Sequence, residues 1–317
     1  VLDMSRVVKE WISPNIDKLV SSPQNSMIVL SCQSEKEVYI FRYYSDGESN
    51  LMESWTSWIM PGTTQFTTID GDDMFAVTKQ ANQFVLSKAA LSQSPDDAIL
   101  VNSAGERVNP CIDLYATASS VVFDSANNRS KCYLPYNDVS ELTPVLLIKG
   151  DTSGGFGSIV ESGFTVTPGR GSDSGGAFFS VPNKNLQSVA SDVIVGFKYN
   201  FDVHLPKTYY RPDEKITDFT ANLTIARMKF SVGLSGVMDF KLKAKGRAEW
   251  NNQIPVIEAD SYLANDVPLD NQNIFTVPIH QRTENFDLRM FNDTPFPVAV
   301  NAMMWEGNYT PRFYRRR

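Results

Sequence analysis

The stretch FTANLTIARMKFSVGLSGVMDFKLKAK, Phe219 to Lys245, decides the fold class. Ala226, Met228, Phe230 and Val232 alternate with Arg227, Lys229 and Ser231, so apolar and polar side chains fall on opposite faces of a strand. Beyond Gly233-Leu234-Ser235-Gly236, Met238, Phe240 and Leu242 alternate with Asp239, Lys241 and Lys243. A helix would space its apolar residues near every 3.6 positions, whereas the register here is two. The pattern predicts a β-hairpin with one buried and one wet face, turned by two glycines able to adopt positive φ. Leu223 and Ile225 sit in the opposite phase to Met228 and Phe230, which predicts a bulge near Ala226 or Arg227.

Outward from this stretch the chain continues in the same style. Met27 to Leu30, Val38 to Tyr44, Met52 to Ile59, Gln65 to Ile69, Met74 to Thr78 and Phe84 to Ser87 read as short strands. Asp46-Gly47 and Pro61-Gly62 give turn signals between them. Two successive cycles of this kind resemble blades of a β-propeller, whose remaining blades would lie outside this chain. Arg6 to Trp11 predicts a short helical turn ended by Ser13-Pro14. Ala89 to Pro110, rich in Ser, Gln, Asp and Pro, reads as a domain boundary. Further strands are expected at Ile112 to Tyr115, Ser120 to Phe123, Pro144 to Ile148, Val193 to Tyr199, Asn273 to Ile279, Asp287 to Phe291 and Phe296 to Trp305. The expected architecture is all-β: terminal propeller blades followed by antiparallel β-sandwich or barrel domains. Blades are expected over residues 1–90, a β-rich middle domain with Gly/Ser loops over 91–192, and a β-sandwich over 193–317. Gly150 to Gly157 and Gly169 to Gly176 read as the loosest loops.

Composition narrows the function. The 317 residues leave room for roughly two or three domains. No apolar run approaches the ~18 residues that span a bilayer. A net charge of −7 argues against gripping nucleic acid through many phosphate contacts. The three cysteines, Cys32, Cys111 and Cys132, form no CxxC pair, so buried or half-buried free thiols are expected rather than a disulfide framework or zinc site. The chain opens with Val1 rather than Met, as expected of a fragment or a processed product.

Four stretches bear on chemistry. Asp173-Ser174-Gly175-Gly176 has the run that surrounds the nucleophile of chymotrypsin-like peptidases, but such a serine needs an imidazole base. Both histidines, His204 and His280, follow it, against the chymotrypsin order, so a Gly/Ser loop is the better reading. Asp70-Gly71-Asp72-Asp73 lacks calcium-loop spacing and reads as a tight turn. Tyr199, Tyr209 and Tyr210 suit packing, with a sugar-binding platform as the other use. Arg312, Arg315, Arg316 and Arg317, interleaved with Phe313 and Tyr314, suit docking onto an acidic neighbour. No catalytic residue, cofactor or metal ligand is expected.

The run MMWEGNYTPRFYR, Met303 to Arg315, resembles the carboxyl-terminal signature of the tail tubular protein B family, the nozzle proteins of short-tailed, T7-like bacteriophages. Val38 to Tyr44 with Glu53 to Trp58 resembles a blade of that family; Val195 to Tyr199, Leu205-Pro206 and Ile225 to Phe240 fit it as well. The resemblance covers most of the chain, least between Ala89 and Asp192. It implies a virion protein without catalysis, assembled in the host cytoplasm as a homo-hexameric tube at the distal end of the tail. Its implied neighbours are a tail adaptor ring, similar to tail tubular protein A, the tail fibres and the host outer surface. Genomic DNA would be retained and then pass through the lumen during ejection, without tight binding. Members of that family are longer and carry the rest of a propeller before this point. The candidate docking segment is Trp305, Arg312, Phe313, Tyr314 and Arg315. The candidate lumen or gate loop contains Gly150, Gly154, Gly155 and Gly157. An alternative function is a receptor-binding module for host-surface glycan, which the aromatic content permits.

Overall fold

The computed structural model describes residues 8–45, 50–80, 82–91, 100–101, 107–148, 158–160, 168–198, 200–210, 222–254 and 273–310. The chain divides into two compact units: Val1–Ser94 with Val139–Leu142, and Pro95–Asp138 with Thr143–Arg317. The protein is all-β, every strand pairing is antiparallel, and none of the sheets closes into a barrel.

In the first unit, β1 (Lys18–Ser22), β2 (Met27–Ser31), β3 (Glu37–Ser45) and β4 (Asn50–Ile59) form a four-stranded meander. A second meander follows from β5 (Thr63–Asp70), β6 (Asp73–Gln80) and β7 (Gln83–Ala90). The expected turn of the aspartate cluster is there: Gly71 takes a φ of 57° between β5 and β6, a conformation that costs glycine little. Met27, Val29, Val38 and Ile40 of the first sheet pack with Met74 of the second. Polar side chains share this interface; Ser31 and Thr67 are buried and hydrogen-bonded at 3.0 Å. Before β1, the N–H groups of Trp11 and Ile12 donate to the Val8 carbonyl at 2.9 and 3.0 Å, one helical turn in the place expected.

The second unit holds a short ladder, β8 (Leu100–Val101) with β9 (Arg107–Val108), and four larger sheets. The first two are built from β10 (Ile112–Thr117), β11 (Ser120–Asp124), β12 (Arg129–Tyr133), β13 (Pro144–Ile148), β14 (Ser158–Val160), β15 (Gly169–Asp173), β16 (Gly176–Pro182) and β17 (Val193–Lys198). Their orders are β10-β17-β13-β14 and β11-β12-β16-β15, and they face each other where the Phe179 and Phe197 rings meet edge-on at 5.5 Å. Strand β17, at the start of the expected third segment, thus pairs with β10 and β13. The remaining strands are β18 (Phe201–His204), β19 (Asn222–Val232), β20 (Met238–Ala244), β21 (Trp250–Ile254), β22 (Ile274–Arg282), β23 (Phe286–Asn292) and β24 (Val300–Thr310). They form the sheets β18-β23-β20-β21 and β22-β19-β24.

The expected hairpin does not form. β19 pairs with β22 and β24, and β20 pairs with β21 and β23 in the facing sheet. Residues 233–237 therefore arch from one sheet to the other. Each strand has one apolar face, and crossing over buries the two faces against each other rather than side by side. Neither glycine is among the positive-φ residues; Gly236 serves a close approach, since a Cβ there would lie 2.1 Å from the Phe296 Cβ, whereas Gly233 meets nothing nearer than 3.4 Å. The bulge is where the phase shift placed it, between Ile225 and Arg227. It lets Leu223 and Ile225 point inward together with Met228, Phe230 and Val232.

Gly169 to Gly176 is also ordered strand, against expectation: β15 and β16 make a hairpin whose turn is Ser174-Gly175. The Phe178 ring lies across Gly171, where a Cβ would come within 2.4 Å of it. The absent side chain is a berth for an aromatic cross-strand neighbour, a recognised device for stabilising a glycine in a sheet.

Candidate functional site

At the junction of β1, β2 and β5 lies a shallow polar depression of about 520 Å³ lined by Asp17, Gln33, Ser34, Thr63, Gln65 and Lys79. It contains no aromatic ring on which a sugar could stack. No cluster of His, Cys, Asp and Glu suited to a metal occurs among the described residues.

Ser174 occupies a hairpin turn shaped by its neighbour. The Asp173 carboxylate accepts from the Gly175 N–H, the Lys131 ammonium and the Tyr133 hydroxyl, each at 2.9 Å. Lys131, then the Gly175 amide, holds that carboxyl below its usual range. This aspartate is committed to the turn rather than to a histidine. His204 lies on β18, 3.6 Å from Asp202, and His280 sits on β22 with a φ of 50°. Tyr210, though exposed, packs on Tyr309 with ring centres 4.4 Å apart, and Tyr209 is also exposed; Tyr199 lies outside the described residues.

Two surfaces stand out. The first is the outer face of the β5–β7 sheet, where the cross-strand register places Phe66, Val77 and Leu86 in one row and Phe84 opposite Lys79. Phe84 and Leu86 are 68% and 69% exposed, although large apolar side chains are normally buried. The second is β24. Its side chains alternate between an inner face, with Met303 opposite Phe230 and Trp305 opposite Met228, and an outer face with Met304 opposite Lys229. Trp305 is half-buried against the core of its own sandwich. Glu306 is paired with both Lys229 and Arg227, and these cations, Lys229 first, lower its carboxyl pKa.

Of the candidate docking residues, Trp305 alone is described; Arg312, Phe313, Tyr314 and Arg315 lie outside the described residues, as do Gly150, Gly154, Gly155 and Gly157. Sequence reading missed the Phe84–Leu86 face, because its alternation is the same as that of a buried strand.

Compared with known families, residues 1–316 match the family of the bacteriophage nozzle protein. The chain belongs to the bacteriophage nozzle protein family. A nozzle protein is a structural component of the phage tail, in keeping with the resemblance seen at Met303 to Arg315. No curated protein matches the chain. Among solved structures, an exo-β-1,3-galactanase from Phanerochaete chrysosporium with galactose aligns at 9% identity, covering 88% of this chain and 95% of its own, with a TM-score of 0.14. The same enzyme with β-1,3-galactotriose aligns at 8% identity, covering 91% and 95%, again with a TM-score of 0.14. Scores this low carry no argument for this nozzle protein's fold or activity.

Proposed function

We propose that this chain is a subunit of a hexameric tube at the distal end of a short phage tail, through which the genome is retained and then ejected into the host. The observation that carries this reading is the family match over residues 1–316. The two meanders of the first unit act as consecutive propeller blades. In support, the face bearing Phe66, Phe84 and Leu86 is apolar and open on the side where a further blade would pack. The tube adjoins a tail adaptor ring and tail fibres, and it meets the host outer surface. Trp305 with Arg312, Phe313, Tyr314 and Arg315 docks on a neighbouring domain or subunit, and the loop containing Gly150, Gly154, Gly155 and Gly157 closes the lumen sterically. DNA slides through without being gripped, because each tight phosphate contact would act as friction on a moving polyanion. The net charge of −7 suits such a wall.

Electron microscopy of the purified assembly tests the architecture, with a six-fold ring expected; a purely monomeric protein would sink it. Duplex-DNA binding across a salt series tests free passage. Weak binding with a shallow slope is expected. Tight binding at physiological salt, with a slope implying about six or more phosphate contacts, would show a clamp instead.

A further inference from the structure

The interface between the two meanders of the first unit is apolar at one end and polar at the other. Met27, Val29, Val38, Ile40 and Met74 make the apolar end. Towards the start of β5 and the end of β6 the buried side chains are instead Thr64, Thr78 and Gln80. Here β5 is stitched to the loop between β2 and β3. The Thr64 N–H donates to the Glu35 carbonyl at 2.8 Å, and the Gln65 side-chain amide donates to the Gln33 carbonyl at 2.9 Å. Thr64 and Thr78 stand directly opposite across the ladder, and Gln80 follows two residues beyond Thr78 on the same face. The Gln80 Nε2 donates to the Thr78 Oγ1 at 3.3 Å, which folds the amide back towards the threonine pair. Two atoms of this group are left over. Thr64 Oγ1 and Gln80 Oε1 are buried and have no hydrogen-bond partner among the described residues. Buried polar atoms are nearly always paired, because an unpaired one forfeits its solvation with nothing in return. Gly62 leaves the amide its space: a Cβ there would come within 2.7 Å of the Gln80 Cγ.

We infer that one water molecule is held between Thr64 and Gln80, donating to the Gln80 Oε1 and accepting from the Thr64 hydroxyl. The chemistry of the two atoms selects water. An amide oxygen needs a donor and a hydroxyl has a proton to give, so the guest must donate and accept at once. A metal cation would meet three neutral oxygens, one of them already accepting from an amide, and no carboxylate; calcium, for comparison, takes six to eight oxygens. An apolar guest would leave both atoms unpaired. A buried water bonded to otherwise unmatched polar groups is part of a protein's structure, and this one completes the end of the interface that the apolar core does not reach. The inference does not depend on the ring reading above.

Thr64→Val decides by its sign. Valine has nearly the shape of threonine, and the substitution removes only the hydroxyl, which no described side chain or backbone group engages. If that hydroxyl is unpaired, its loss stabilises the first unit. If it is bonded to a held water, its loss strands the water and the Gln80 oxygen, and the folding equilibrium constant falls about fivefold or more. Urea melts of the full chain read the difference. A high-resolution crystal structure of the full chain supplies the second measurement. One peak is expected at hydrogen-bond distance from both Thr64 Oγ1 and Gln80 Oε1, and it disappears in Thr64→Val. A stability gain in Thr64→Val overturns the inference, as does a crystal structure with no such peak. An anomalous signal at that position after soaking in rubidium would overturn water in favour of a cation. A protein group found donating to the Gln80 Oε1 would show that the chain satisfies the amide itself and would overturn it too. Should Thr64→Val fail to fold, the peak in the parent protein decides alone.

Discussion

The Phe230 and Phe240 rings meet with centres 4.8 Å apart and planes inclined at 40°, one from each sheet of the same sandwich. Both are fully buried. Replacing Phe230 with Ala removes one side of this contact and leaves a cavity, so the second unit should lose about 3–5 kcal/mol. Phe230→Asp buries an unpaired charge and should prevent that unit from folding. Lys229→Ala, on the opposite face of the same strand, should cost less than about 1 kcal/mol. Urea melts of the three variants check the assignment of faces; equal midpoints would reverse it.

The arch gives a second test, because its two glycines differ in surroundings. Gly236→Ala forces a Cβ to within 2.1 Å of Phe296, a buried ring, and should destabilise by about 1–3 kcal/mol. Gly233→Ala meets nothing closer than 3.4 Å, ordinary van der Waals contact, and should be nearly neutral. If the two variants melt alike, the crowding at Phe296 is not what the glycine serves.

Asp113 lies where the β10–β17 register shifts, and burial pushes its carboxyl up to about 7. Unfolded, it would titrate near 3.9, as an ordinary aspartate does. The folded chain therefore holds a proton there that the unfolded chain releases. Stability falls as pH rises from about 4 to 7, and levels off above that. Asp113→Asn should abolish this slope and raise Tm more at pH 8 than at pH 5. A Tm difference that stays constant across that range would contradict it.

Cys132 is wholly buried on β12, and burial pushes its thiol up to about 12. Only the thiolate attacks alkylating reagents, so Cys132 should stay unlabelled in native protein at pH 8 and react only on unfolding. The half-buried Cys111 should label first. Peptide mass mapping after brief iodoacetamide treatment reads the order directly, and equal labelling of both would refute it.

Much of this fold was legible as strands and little of it as pairings. Alternation located β2 to β7 and β19, and the phase slip between Ile225 and Met228 located a bulge to within a residue. Pairing was harder, because the five residues 233–237 suit an arch as well as a hairpin. What decides is that Phe230 and Phe240 each need an apolar surface in front of them, a relation between sheets that neither strand records. At Gly171 the missing side chain reads as looseness until the Phe178 ring is seen lying over it. The exposure of Met303 was hidden for a related reason: it alternates like a core residue, and only its place on an edge strand leaves it 44% exposed.

Strand order has a consequence in time. β19 lies at the centre of its sheet, yet its neighbours β22 and β24 follow it along the chain, the latter ending at Thr310. At translation speeds of about 5–20 residues per second, β19 waits roughly 4–18 s after leaving the ribosome for its last partner. Until β22 emerges Met228 and Phe230 have no neighbouring strand, and their second flank stays open until β24 arrives. The strand that completes the fold is also one edge of its sheet. The sheet is therefore complete only once this strand has been made, and a chain cut short before β24 would leave β19 unpaired along one whole side.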